Sequence, residues 1–172
     1  MNKTNKSDKA GSAAELGDES FMSAEELRAY MTDMQMAKAS KSLEGMDQAE
    51  KARQELVKRL SDPIELTPER LAEIAQNLKS KVRAAVKRDE TELMVMRFPV
   101  ALCTDKGRAI NNAESDWPDT LTGRPRQAYE FWRDKLKPAG YGLSATIVEW
   151  PGGLPGDVGF FLKWGQKAKT SD

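Results

Sequence analysis

Leu71, Ile74, Ala75, Leu78, Val82, Ala85 and Val86 recur at three- and four-residue spacing, the signature of one apolar helix face. The same stretch is punctuated as a helix should be. Thr67 suits the N-cap, Pro68 the first helical position and Glu69 the positive end of the dipole, while Lys87 and Arg88 suit the far end. Upstream, Ser23 and Glu26 form a capping box, with Met22 and Leu27 placed to staple across it. Leu27, Tyr30, Met31 and Met34 then share a face. A turn over Ser40 to Gly45 leads to a second helix, expected from Asp47 to Leu60 on a thin stripe of Ala49, Ala52, Leu56 and Leu60. Asp62-Pro63 ends it, because proline disfavours helical geometry in the residue before it.

Beyond Glu92 the period shortens. Leu93 to Phe98 is a short apolar run closed by Pro99, as in a buried strand. Leu143 to Trp150 and Val158 to Trp164 read as two more strands, the second alternating Val158, Phe160, Leu162, Trp164 with Gly159, Phe161, Lys163. Turn residues from Pro151 to Asp157 join them into a hairpin. Helical patterns are expected at Thr104 to Asn112 and at Pro125 to Leu136. The fold class is therefore α+β: an N-terminal helical arm or hairpin, then a small, about three-stranded, largely antiparallel sheet covered by helices.

Aromatic placement sets the expected boundaries. Of five Phe, three Tyr and four Trp, only Phe21 and Tyr30 lie outside the span from Phe98 to Trp164. Aromatics bury the most apolar area per residue, so a compact domain is expected at 64–165, preceded by a helical arm at 22–62. Polar tails, expected to be disordered, flank them at 1–21 and 166–172. Trp132 and Trp164 are expected in the core, and Trp117 near the surface.

Charge and composition then prune the functions. The 27 basic and 27 acidic residues cancel, so no global field favours a polyanion. Histidine is absent, which removes His-based triads, Cys-His pairs and His-ligated zinc. The single cysteine, Cys103, forms no internal disulfide and fits a reducing, cytoplasmic setting; burial as a small apolar side chain is its expected role. No run of about 18 apolar residues suggests a membrane span. The glycines from Gly152 to Gly159 are followed by a strand pattern instead of a helix, so they read as turn glycines and not as a phosphate loop. No metal or cofactor is expected.

The most polar segment inside the aromatic-rich region runs from Thr104 to Trp117. Asp105, Arg108, Asn111, Asn112 and Trp117 combine a carboxylate, a guanidinium, two amides and a stacking surface, and could bind a ligand or a partner main chain. Local caps and ion pairs that order a long connection are the alternative. Lys79, Arg83 and Lys87 share a basic helix face that could follow a phosphate backbone, yet Asp89, Glu90 and Glu92 come at once after it. The leading expectation is a non-enzymatic interaction or regulatory protein. Its arm, rich in methionine at Met22, Met31, Met34, Met36 and Met46, would contact a protein partner or a second copy. A ligand-binding or enzymatic domain using the 104–117 segment is the second reading, and nucleic-acid binding through 79–88 the third.

Overall fold

The computed structural model describes residues 20–40 and 42–165, so the tail expected at 166–172 and all but the last two residues of the one expected at 1–21 lie outside the described residues. Helix α1 spans Ala24–Ser40, α2 Leu43–Ser61 and α3 Pro68–Lys87. Strand β1 follows at Glu92–Pro99, then a one-turn helix α4 at Arg108–Asn111. Helix α5, Gly123–Phe131, continues into a π-helical turn at Trp132–Leu136. Strands β2, Gly142–Glu149, and β3, Asp157–Lys163, complete an antiparallel sheet in the order β1-β3-β2.

The capping chemistry is met as expected. Ser23 N donates to Glu26 Oε1 at 3.1 Å and Glu26 N to Ser23 Oγ at 3.0 Å, the reciprocal pair of a capping box. Thr67 Oγ1 accepts from Arg70 N at 3.1 Å at the head of α3. Helix α2 starts earlier than its apolar stripe suggests, because Ser42 Oγ accepts from Gly45 N at 3.1 Å and caps it there. Arg59 Nε reaches Glu26 Oε2 at 3.1 Å near the start of α1, while Gly45 lies against the Ala37 carbonyl near its end. Helices α1 and α2 are thus an antiparallel hairpin.

That hairpin shares its core with the sheet. Tyr30 and Met34 from α1, Leu56 and Leu60 from α2 and Ile74 from α3 lie in one cluster with Met96, Phe98, Val158 and Phe160. Leu56, Leu60 and Ile74 have no solvent exposure, and each contributes about 1.5–3 kcal/mol through burial. Phe98 and Phe160 meet edge-to-face with ring centroids 5.0 Å apart. The core also begins earlier than the tail boundary at residue 21: Phe21 is buried against Phe131, 5.8 Å between centroids, and Met22 is buried beside it. A single aromatic ahead of a cap has no periodicity to announce it.

Other local expectations shift for identifiable reasons. Val86, expected on the apolar stripe of α3, is exposed, since the stripe is used only through Ala85. The helix expected from Thr104 is confined to Arg108–Asn111, because Lys106 and Gly107 have positive φ of 57° and 85° and break it. A Cβ at Gly107 would stand 2.8 Å from Val100 Cγ1, so glycine is demanded twice there. Trp132 and Trp164 are half-buried instead of fully buried. Trp132 turns its Nε1 to donate to the Tyr141 carbonyl at 3.0 Å, and Trp164 falls just past the end of β3.

Candidate interaction surface

Two features of the sheet bear on function: a buried ionic cluster that fixes the hairpin, and an open edge. Asp157, the first residue of β3, is fully buried. Its Oδ2 accepts from Tyr30 Oη at 2.8 Å and from Arg97 Nε at 3.1 Å. Arg53 Nε of α2 faces Oδ1 at 3.6 Å, an ion pair too long for a hydrogen bond. Arg97 also approaches Glu149 at 3.8 Å and lays its guanidinium over the Tyr30 ring at 5.5 Å. One carboxylate therefore ties α1, α2 and β1 to the hairpin of β2 and β3. Burial, then the neighbouring Asp157 charge, pushes the Tyr30 phenol well above its ordinary value. A phenol held protonated and already donating is a structural group. Cys103 is buried too, and burial pushes its thiol up to about 11, away from a nucleophilic thiolate.

The open edge is β2. The other edge strand, β1, carries Glu92, Arg97 and Pro99 and is packed by α1, α2 and α3, whereas β2 is packed by the short α4; both strands bulge, β1 between Met94 and Met96 and β2 between Ile147 and Glu149. Charges, proline, bulges and covering helices are the devices that keep a sheet edge from pairing further. Strand β2 reads Gly142-Leu143-Ser144-Ala145-Thr146-Ile147-Val148-Glu149, with no charge or proline before its last residue. Among the described residues, β3 is the only strand paired with it. An open groove of about 530 Å³ is lined by residues 143–147 of this strand together with Ile110, Asn111, Glu114 and Trp117. Trp150, 47% exposed, lines it as well. Glu114 is the one charged side chain in the lining.

The residues singled out by sequence are distributed around this groove and not gathered in one pocket. Asn111 and Trp117 line it. Trp117 is half-buried, held edge-on to Tyr129 at 5.5 Å and near Phe160 at 6.0 Å, so it is a fixed wall. Asp105 is taken up locally: Oδ1 accepts from Gly107 N at 3.0 Å and Oδ2 from Ala109 N at 2.8 Å. Arg108 is exposed, and Asn112 is exposed with Nδ2 donating to Glu114 Oε2 at 3.3 Å. Lys79, Arg83 and Lys87 are exposed on α3.

Sequence reasoning missed Asp157, Arg97 and Tyr30, and it missed the edge. Arg97 inside the apolar run of β1 was the available signal, since a charge in a buried strand requires a partner. The exposed apolar residues Met36, Leu43 and Met46 sit at the turn of the helical hairpin. Among the described residues, no helix is long and apolar enough to cross a membrane. Neither family models, nor curated proteins, nor solved structures give a match to this chain.

Proposed function

We propose that the chain is a non-enzymatic interaction protein of a reducing, cytoplasmic setting, whose α+β body is a platform and whose β2 edge accepts an extended protein segment by strand addition. The observation that carries this is an eight-residue edge strand without charge before Glu149, open along a groove walled by Trp117 and Trp150. Strand addition draws affinity from main-chain hydrogen bonds and specificity from side-chain pockets. Half-buried Leu143 and Ile147 beside the two tryptophans supply apolar contacts, and Asn111 an amide able to bond a partner main chain. Rigid aromatic walls lose little entropy on binding. The lone Cys103, buried and unpaired, suits the setting.

Peptide display against the full-length chain tests it. Enriched peptides should be extended and apolar, and should shift amide resonances of residues 143–147 and the Trp117 indole, with binding lost in Trp150→Ala. Enriched peptides that leave those resonances unmoved would sink the reading.

A second reading places partner contacts on the 22–62 hairpin, favoured by Met36 and Met46 at 66% exposure and Leu43 at 81%. Because Tyr30, Met34, Leu56 and Leu60 belong to the core, deletion of the hairpin is no test of it. Replacing Met36, Leu43 and Met46 together by serine preserves the fold, and lost association in that variant alone would favour this surface.

A further inference from the structure

We infer that the segment taken up by the β2 edge is the β2 strand of a second copy, giving a twofold dimer with a continuous six-stranded antiparallel sheet. This rests on the strand-addition reading above and names its partner. A twofold interface must be self-complementary, each position meeting its symmetry mate's counterpart. In an antiparallel pair, opposed residues share a face, so a twofold axis normal to the sheet passes through one residue position of β2. The two central choices are Ala145 and Thr146.

With the axis at Ala145, Leu143 opposes Ile147 of the second copy, Ser144 opposes Thr146, and Ala145 opposes itself. Apolar meets apolar on the core-side face, hydroxyl meets hydroxyl on the other, and no charge is opposed by a like charge. This register uses the regular stretch Gly142–Ile147, since β2 bulges between Ile147 and Glu149. Moving the axis to Thr146 sets hydroxyl-bearing Ser144 against apolar Val148 and carries the pairing into the bulge before Glu149, whose carboxylate is already engaged by Arg97 and Lys38 at 3.8 and 3.9 Å. The Ala145 register is therefore the favoured one. The defended β1 edge offers no such match, since Arg97 and Pro99 interrupt it.

Light scattering of the full-length chain from micromolar to millimolar concentration should show mass rising to that of a dimer. S144K/T146K places two lysines opposite two lysines and should weaken dimerisation on the order of tenfold or more. S144K/T146E opposes each lysine with a glutamate and should dimerise again. Ala145→Cys gives a readout that needs no surface charge: thiols opposed on the axis lie about 4.5–5.5 Å apart at Cα, within disulfide range, so mild oxidation should yield a covalent dimer. A monomer at every concentration with no A145C cross-link overturns the inference. A dimer insensitive to S144K/T146K and uncross-linked by A145C also overturns it, by placing the contact elsewhere. A monomer that still takes up a displayed peptide at residues 143–147 overturns the dimer and leaves the strand-addition reading standing.

Discussion

Replacing Asp157 by alanine should be among the most damaging single changes in the chain. The carboxylate has no solvent exposure, accepts from Tyr30 and Arg97 at 2.8 and 3.1 Å, and pairs with Arg53 at 3.6 Å. Removing one partner of a buried charge cluster costs about 3–5 kcal/mol, because the remaining charges stay desolvated without their counter-ion. Arg97 retains Glu149 at 3.8 Å and Arg53 retains Glu50 at 3.8 Å, which argues for the lower half of that range. Tyr30→Phe removes one hydrogen bond to the same carboxylate and should cost about 1.5–3 kcal/mol. Urea unfolding followed by tryptophan fluorescence reads both. With a slope of about 2 kcal/mol per molar urea, Asp157→Ala should lower the midpoint by roughly 1.5–2 M without changing the slope. Tyr30→Phe should cost clearly less once Asp157 is gone, since the two share the bond that each deletion removes. A loss below about 1 kcal/mol for Asp157→Ala would refute the idea that this carboxylate locks the helical hairpin to the sheet.

Stability should fall on the alkaline side. Burial raises Cys103 from 9.0 to about 11 and carries Tyr30 well above 10.0, so both stay protonated in the folded chain at pH values where the unfolded chain ionises them. The decline should begin near pH 9, and Tyr30→Phe should flatten only the portion above pH 10; a flat profile from pH 8 to 11 would contradict the burial of both groups. Cys103 should resist an aromatic disulfide reagent in native buffer and react fully in urea, and rapid native labelling would show that its pocket opens. Gly123→Ala should cost several times what Gly153→Ala costs. Both have positive φ, but a Cβ at 123 would strike the Leu60 carbonyl oxygen where α2 ends, whereas at 153 nothing lies within 4 Å. Comparable thermal midpoints for the two variants would count against that helix contact.

Elements announced by local chemistry were legible in the sequence. Thr67 and Pro68 mark α3, Ser23 and Glu26 mark α1, and the alternation from Val158 to Leu162 marks β3, each through interactions within a few residues. What escaped depends on distance along the chain. Asp157 meets Arg97 across 60 residues and Tyr30 across 127, so nothing in the neighbourhood of any one of them names the others. It reads locally as the last residue of a turn. Strand order is equally non-local: β2 is an edge because the last strand, β3, inserts between it and β1, and a strand's own residues do not say which neighbour it lacks. The polar segment from Thr104 to Trp117 was located, but not its use. Positive φ at Lys106 and Gly107 breaks the helix expected from Thr104 to Asn112 and separates Asp105 from Arg108 and Asn112, leaving Asn111 and Trp117 at the groove.

The free β2 edge as the interaction surface is tested most directly by residue-resolved amide hydrogen exchange across a range of protein concentration. Pairing with a second copy should slow the outward-facing amides between Gly142 and Val148 as concentration rises, while amides bonded to β3 and those in the solvated turn at Gly152 and Gly153 stay unchanged. Exchange across β2 that is independent of concentration, with protection appearing instead around Met36, Leu43 and Met46, would place the interface on the helical hairpin and contradict the account.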